Sequence, residues 1–440
     1  MTIRELGGLL RARKLSCAEL IQQTLAGIKA RADSHWFITI TEDQARSEAA
    51  ERDKELAAGK DRGPLHGIPI ALKDLFYTRG VRTTAGSLLF RDFVPDCDAA
   101  VVERLREAGA ISVGKTNLHE LAYGITSKNP HYGAVVNPLD PNRLPGGSSG
   151  GSAAVVAAGL VPMALGTDTG GSIRIPASYC GIAGLKPTYG RVSRHGVLPL
   201  AFSLDHVGPF GTCAEDCALT MNVIAGGNFA LPPRPNLNGI RVGVPRNFFF
   251  DRVDQQVAAA VLNSISEMKR LGASISEVQV PDLHEANAAA RVIQYAEVSA
   301  LYVHQHDPAL FGNDVWNLIQ QGKMIAGHEY VNAQRIRTLF RRDFNALWQN
   351  IDVLVAPATP ITAPGIDEIE IQIGPHRENT RMASTRLVRA INFLGEPALS
   401  IPCGKVSSGM PIGLQLIGAP FSEPQLLQIG NTLETCFGRR

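Results

Sequence analysis

Hydrophobic and polar positions along this chain follow two periods, one typical of helices and one typical of buried strands. Apolar residues spaced three or four apart place Val257, Val261 and Ile265 on one face of a helix. Helices are predicted over about residues 17–30, 42–58, 98–109, 151–159, 254–271, 282–350 and 424–436. Short apolar runs predict strands over about residues 67–74, 110–113, 240–244, 274–280, 353–355 and 412–417. Strands that alternate with helices indicate an α/β fold built around a central sheet.

Polar residues and a glycine mark the ends of several predicted helices. Ser16 and Glu19 have the spacing of a capping box, in which each side chain accepts a hydrogen bond from backbone near the other. Asp254 stands where an N-cap residue is preferred. Gly109 follows the helix predicted from Asp98 and is typical of a C-terminal cap. These signals locate helix ends more sharply than apolar spacing alone.

The overall composition indicates a globular protein without a strongly charged surface. The chain has 440 residues, of which 45% are hydrophobic and 19% are charged, and its formal net charge is +2. This balance gives no electrostatic footprint for nucleic acid or for an anionic membrane. The longest apolar run, from Ala153 to Leu165, is too short to span a bilayer. We therefore expect no direct binding to nucleic acid and no membrane association.

The first residues and the cysteines indicate a cytoplasmic protein that needs no metal. Residues 1–6 lack the apolar core of a secretory signal. The seven cysteines include no CxxC pair, and Cys213 and Cys217, four apart on a predicted helix, have no His or Cys pair at a zinc-like spacing. Free thiols in a reducing compartment are the expected state. We expect neither a metal nor a cofactor.

Two glycine-framed serine clusters are the most informative feature of the sequence. The first spans residues 145–152 and includes Ser148, and the second spans residues 166–174 and includes Ser172. Glycine at this density indicates backbone that approaches another group closely or adopts positive φ. Serines held by such backbone are candidate nucleophiles.

Other motif matches in the same region fit their usual structural contexts poorly. Residues 109–116 match the phosphate-binding pattern GxxxxGK[ST], but a predicted helix precedes them instead of a strand. The aspartic-protease triplet at 168–170 occurs once, which leaves only a dimeric aspartic protease. Residues 146–150 match a nucleophile elbow but lack the preceding apolar strand. No histidine has motif-like surroundings, so another group is expected to activate the serine.

Lys73 is the candidate for that activating group. It follows apolar residues at the end of the predicted strand 67–74, where burial would lower the pKa of its side chain. A lysine that is neutral near pH 7 would serve as a base. The competing interpretation is an ion pair between Lys73 and Asp74 at the edge of the sheet.

Several segments together resemble the amidase signature family. They are the two glycine–serine clusters, the lysine segment at 64–74, residues 184–193 and residues 397–402. The resemblance covers nearly the whole chain. It implies a large mixed β-sheet core with helices on both faces. It also implies hydrolysis of a carboxylic amide C–N bond through a serine acyl-enzyme, with release of ammonia or an amine.

Carried over by position, the resemblance implies a catalytic triad of Lys73, Ser148 and Ser172. Ser172 would be the nucleophile, Ser148 would follow a cis peptide and relay the proton, and Lys73 would be the ultimate base. The family's oxyanion hole maps onto the backbone amides of Thr169, Gly170, Gly171 and Ser172. Asp168 and Arg174 flank this loop, and we expect them to form a structural ion pair.

The sequence leaves open which member of the family this chain is. The alternative to a stand-alone amidase is the A subunit of an aspartyl/glutamyl-tRNA amidotransferase, which uses the same triad as a glutaminase. That protein usually has Gln at the position of Ile175 and an acidic residue at that of Thr385, which favours the stand-alone amidase. Arg337 lies in a stretch that resembles the amidotransferase and would bind a carboxylate, unless it lies on a surface helix. By resemblance, Tyr123 and Gly124 lie near the acyl pocket.

These patterns give a coarse expectation for organisation and partners. We expect one domain over residues 1–440, with a catalytic core at about 60–215 and a more variable helical pocket region at about 282–350. The expected partner is a small-molecule amide substrate, and the assembly is compatible with a homodimer. The motifs do not specify the acyl group or the leaving amine.

Overall fold

Eleven strands form one mixed sheet in the computed structural model, which describes residues 1–305 and 307–438. The strands of the described residues are β1 (Phe37–Ile40), β2 (Pro69–Lys73), β3 (Ile111–Thr116), β4 (Lys128–Asn129), β5 (Gly133–Ala134), β6 (Met163–Asp168), β7 (Ala183–Lys186), β8 (His206–Gly211), β9 (Arg241–Pro245), β10 (Ser274–Val278), β11 (Val353–Pro357), β12 (Glu370–Ile373), β13 (His376–Asn379), β14 (Ala398–Lys405) and β15 (Pro411–Gly418). The order across the large sheet is β1-β3-β2-β6-β8-β7-β14-β15-β11-β9-β10. Parallel pairs, such as β2 with β3, and antiparallel pairs, such as β14 with β15, both occur, which confirms the expected mixed sheet.

Helices pack against this sheet along its whole length. In the described residues they are α1 (Ile3–Arg11), α2 (Cys17–Lys29), α3 (Glu42–Ala57), α4 (Ala100–Glu107), α5 (Gly150–Ala157), α6 (Arg174–Cys180), α7 (Ala214–Met221), α8 (Gln255–Arg270), α9 (Leu283–Tyr302), α10 (Asn313–Gly322), α11 (Gly327–Asn345), α12 (Thr380–Arg386), α13 (Arg389–Leu394) and α14 (Glu423–Cys436). No helix of the described residues is long and apolar enough to cross a membrane.

Two capping signals of the sequence match the observed helix starts. Ser16 and Glu19 form the capping box that begins α2, and the Asp254 carboxylate accepts backbone N–H groups at the start of α8. The helix predicted from Asp98 begins at Ala100 instead, because Asp98 accepts the Arg79 amide and pairs with Arg106. Side-chain hydrogen bonds therefore set these boundaries.

The segment that matches a phosphate-binding loop is part of a strand. Residues 111–116 form β3, with Gly114 inside the strand. Lys115 is fully buried and lies 3.3 Å from the Asp74 carboxylate. The segment is therefore not a phosphate-binding loop, and Asp74 pairs with Lys115. The competing interpretation, in which Asp74 pairs with Lys73, is wrong.

Two neighbouring parallel strands bring the candidate chemistry to one edge of the sheet. β2 ends at Lys73 and β6 ends at Asp168, and their register pairs Leu72 with Leu165. Every residue of both strands is buried, as is typical of parallel strands covered by helices on both faces. Because parallel strands end at the same edge, Lys73 and the loop after Asp168 lie close together.

Helix α5 packs against neighbouring backbone so closely that its second residue has no room for a side chain. A Cβ on Gly151 would lie 2.4 Å from the Asn117 carbonyl oxygen and 2.6 Å from that of Trp36. Backbone atoms cannot move aside as the end of a flexible side chain would. The glycine therefore allows α5 to approach the segment after β3.

We expect Gly151→Ala to destabilise the protein by about 1–3 kcal/mol, because the methyl group overpacks this contact. Gly8→Ala in α1 is the matched control, since no atom lies within 4 Å of its added Cβ. Alanine is the better helix former by about 1 kcal/mol, so Gly8→Ala is expected to raise the midpoint of thermal unfolding. Circular dichroism of both variants during heating tests this, and equal midpoints would contradict the packing argument.

Candidate active site

Lys73 lies in a fully buried site between two hydroxyl groups. Its Nζ is 2.7 Å from the Ser148 Oγ and 2.8 Å from the Thr167 Oγ1. The peptide bond between Gly147 and Ser148 is cis. Both serine clusters thus contribute to one site, the first through Ser148 and the second through Thr167.

The surroundings of Lys73 favour its neutral form. Burial lowers the pKa of Lys73 to about 7, against the attraction of Asp205 and Asp168, which acts to raise it. Both carboxylates are engaged elsewhere: Asp205 accepts the Thr169 hydroxyl and the Ala201 amide. A lysine in these surroundings is able to accept a proton near neutral pH.

Ser172 lies in the loop between β6 and α6 and lines a small cleft. The same cleft is lined by Tyr123 and Gly124. No hydrogen bond joins the hydroxyls of Ser148 and Ser172 among the described contacts. The role of Ser148 as a bridge between Lys73 and Ser172 stays a prediction, since such bonds are often loose without substrate.

The carboxylate of Asp168 holds the backbone of this loop. It accepts the amides of Gly171 at 2.7 Å and Ile173 at 3.1 Å. The amides of Thr169, Gly170 and Ser172 have no acceptor among the described residues. The Gly171 amide is thus committed to Asp168, and three of the four expected oxyanion donors remain available.

Asp168 is itself fixed by a buried ion pair with Arg174. Arg174 Nε lies 3.0 Å from one carboxylate oxygen and Nη2 lies 3.1 Å from the other. Asn392 donates through Nδ2 to the same carboxylate at 2.8 Å, and Gln415 accepts from Arg174 at 2.8 Å. Burial acts to raise the pKa of Asp168, but the Arg174 charge outweighs it and holds that pKa well below its usual range. The expected structural pairing of Asp168 with Arg174 is present.

Two of the three expected substrate contacts lie at the cleft. Tyr123 is buried and its hydroxyl has no hydrogen-bond partner among the described residues. A Cβ on Gly124 would lie 2.2 Å from the His119 ring. Arg337 is not brought to the cleft beside Ser172: its Nε donates to the Phe393 carbonyl at 2.6 Å. It is largely buried, so it does not lie on an exposed helix surface either.

Three other residues at the cleft were not singled out by the sequence. They are Gln294 of α9, Arg381 of α12 and Arg389 of α13. Thr385 of α12, which the sequence did single out, lines the cleft too. No short motif marks the three, because Gln294 lies far along the chain from Arg381 and Arg389. In the described part of the chain, no group of three or more His, Cys, Asp or Glu side chains is placed to bind a metal.

Comparison with known proteins agrees with this geometry. The Amidase family model matches residues 19–427. The A subunit of glutamyl-tRNA(Gln) amidotransferase from Chromohalobacter salexigens is 39% identical, over 98% of this chain and 96% of the relative. The solved structure of the corresponding protein from Thermotoga maritima is 32% identical, with a TM-score of 0.82 over 99% of this chain and 94% of that chain.

A further solved structure is described as an unexpected vestigial protein complex that reveals the evolutionary origins of an s-triazine catabolic enzyme. It is 36% identical, with a TM-score of 0.93 over 100% of this chain and 99% of that chain. These similarities match the amidotransferase alternative better than the stand-alone amidase that Ile175 and Thr385 favoured.

The expectation about partners is wrong in consequence. The expected partners were a small-molecule substrate, no nucleic acid and at most a second copy of the chain. The relatives are instead named as subunits of a tRNA amidotransferase or were solved in a protein complex. The expectation rested on the nearly neutral net charge of the chain. Net charge indicates whether a protein has an extended surface for nucleic acid, but it carries no information on protein partners. Fold, site geometry and comparisons agree that this chain belongs to the amidase signature family of enzymes.

Proposed function

We propose that the chain cleaves a carboxylic amide through an acyl-enzyme on Ser172 and releases ammonia or a small amine. The observation that carries this proposal is the 2.7 Å contact between Lys73 Nζ and Ser148 Oγ, at a site where burial lowers the lysine pKa to about 7. A neutral lysine, a relay hydroxyl and a nearby serine in a cleft are the parts that acyl transfer needs.

The proposed reaction begins with proton transfer toward Lys73. Ser148 passes its proton to the neutral Nζ and takes the proton of Ser172, whose Oγ attacks the amide carbon. The oxyanion accepts hydrogen bonds from the free amides of Thr169, Gly170 and Ser172. The protonated Lys73 then returns its proton through Ser148 to the leaving nitrogen. Water repeats the sequence to release the acid and restore Ser172.

The names of the relatives indicate that the chain works as part of a complex with other subunits. We propose that the chain acts as the amide-cleaving component of a larger complex, because its relatives are named as one subunit of glutamyl-tRNA(Gln) amidotransferase. The relative from Chromohalobacter salexigens is 39% identical over 98% of the chain, which supports this assembly. Ile175 and Thr385 differ from the residues usual in the amidotransferase subunit, but these two differences are weaker evidence than the overall identity. Those departures concern the acyl pocket and say nothing about a protein partner.

We also propose that residues 1–440 form one cytoplasmic domain whose catalytic core covers about residues 60–215. The eleven-stranded sheet supports this, because it joins strands from both halves of the chain. The pocket region at about 282–350 contributes Gln294 to the cleft, whereas α12 and α13, which lie beyond it, contribute the basic residues. The proposed pocket therefore extends to Arg389.

Replacing the nucleophile tests the acyl-enzyme directly. A fluorophosphonate probe is expected to label Ser172, as located by peptide mapping, and Ser172→Ala should lose the label and at least about a thousandfold in kcat. Ser266→Ala, on the exposed face of α8, is the control and should keep both. An unlabelled Ser172 in folded protein would exclude the proposed chemistry.

The pH profile tests the base. Protonation removes the acceptor, so kcat/KM should fall below an apparent pKa near 7 and level off above it. Lys73→Ala is expected to lose about 10²–10⁴-fold at pH 7, with partial recovery at high pH. Lys29→Ala, at an exposed ion pair with Glu42, should keep the wild-type profile. A Lys73 variant that matches wild type at every pH would refute the base role.

Reconstitution tests the assembly. Ammonia release from the chain's best amide is expected to increase when the other subunits of a glutamyl-tRNA(Gln) amidotransferase are added. With a ¹⁵N-labelled amide, the label should appear in aminoacyl-tRNA, and Ser172→Ala should abolish this transfer while Ser266→Ala preserves it. An unchanged rate without transfer to tRNA would instead identify a stand-alone amidase.

A further inference from the structure

Two arginines, Arg381 and Arg389, line the cleft beside Ser172. Arg389 is only 6% exposed and donates a hydrogen bond to the Gln294 side-chain oxygen. Its Nη1 lies 3.3 Å from where a Cβ on Gly170 would stand, so it covers the loop of the proposed oxyanion hole. The Arg381 guanidinium lies 5.5 Å from the centre of the Tyr123 ring. Arg291 is close enough that its charge acts on Arg389.

No carboxylate balances these charges within the described residues. The cleft lining contains no Asp or Glu, and none of Arg291, Arg381 and Arg389 forms an ion pair there. The buried acids on the far side of the loop are engaged elsewhere, Asp168 with Arg174 and Asp205 with Thr169. Burial lowers the pKa of Arg389 to about 10, and the charges of Arg381 and Arg291 act in the same direction, yet it stays cationic at neutral pH.

A buried cation without a counter-ion is unfavourable, so an arrangement of this kind favours binding of an anion. We infer that the substrate is an amide bearing a carboxylate that Arg389 and Arg381 bind, with no ammonium group beside it. This inference rests on the proposed function and narrows its substrate class. It separates this pocket from one built for a free amino acid amide, since glutamine would bring an ammonium to a cleft whose lining holds two arginines and no carboxylate.

The position of Arg389 also limits the length of that substrate. Arg389 and the proposed oxyanion donors meet at Gly170, so carboxylate and scissile carbonyl must lie within a few atoms of each other. Monoamides of short dicarboxylic acids, from malonamate to glutaramate, have this chemistry.

Four amides of the same chain length test whether the cleft selects its substrate by charge, because they differ in charge and hardly in size. Glutaramate is glutamine without its amino group, pentanamide replaces the carboxylate by a methyl group, and 5-aminopentanamide replaces it by a cationic group. Because charge-assisted hydrogen bonds are the stronger ones, we expect kcat/KM for glutaramate to exceed that for pentanamide by about 10- to 100-fold. Glutamine should fall between them, and 5-aminopentanamide should be poorest. Equal values for the anionic and neutral amides would overturn the inference.

Variants assign the selectivity to the arginines. Arg381→Gln and Arg389→Gln are expected to raise KM for glutaramate more than KM for pentanamide, whereas Arg389→Lys should keep part of the preference. Thr385→Asp places a carboxylate at the cleft and should shift the preference from glutaramate toward glutamine. Arg335→Gln, on the exposed side of α11, is the control. Losses that are equal for both amides would mean that the arginines only support the fold.

A binding measurement tests the inference even if none of these amides is the natural substrate. Malonate, succinate or glutarate should slow fluorophosphonate labelling of wild-type Ser172, and Arg389→Gln should weaken that protection about 10- to 100-fold. Diamines of the same lengths should not protect. If Ser172 is labelled and no dicarboxylate protects it, this inference fails while the proposed function stands. If Ser172 cannot be labelled at all, both fail.

Discussion

The burial of Lys73 is the constraint on which the rest of the site depends. An ammonium in this position gains no carboxylate contact, so desolvation lowers its pKa to about 7 and makes it a base near neutral pH. Its contacts with Ser148 and Thr167 are available only because β2 lies between β3 and β6 and ends at the same edge as β6. The sheet therefore supplies both the burial and the hydroxyl groups that would exchange protons with the lysine.

The neighbouring carboxylates must be kept from pairing with Lys73, and two buried ion pairs do this. Asp74, the next residue along the chain, pairs with Lys115 of β3, and Asp168 pairs with Arg174 at the start of α6. Asp168 also accepts the Gly171 and Ile173 amides, so the same pair holds the loop that carries Ser172. Removing one partner of such a buried pair is strongly destabilising, by about 3–5 kcal/mol, because the other charge is left uncompensated. The charges around Lys73 and the shape of the loop that carries Ser172 are thus coupled.

Local signals in the sequence marked the residues around Lys73 better than those around Arg389. Capping residues and apolar periods located α2, α8, β2 and β9, whereas β6 and β8 were missed. Those two strands contain glycine, and β8 also proline, which are poor strand formers, and burial within the sheet overrides that preference. Lys73 and the two serine clusters were recognisable because each lies in a continuous motif. Arg381 and Arg389 were not, because their importance appears only when α12 and α13 fold against the loop after β6.

Lys73 and Arg389 differ in how the charges around them are balanced. Around Lys73 each nearby carboxylate has its own hydrogen-bond donors, and the lysine is held close to neutrality. Around Arg389 the positive charges have no acidic partner among the described residues, and the bound Gln294 amide supplies only a dipole. A carboxylate bound there would neutralise the arginines and exclude water from the cleft, which would strengthen the hydrogen bonds to a developing oxyanion at Gly170. Substrate binding and activation of Ser172 would then meet at one short loop, because Asp168 accepts two of its amides while Arg389 lies beside Gly170.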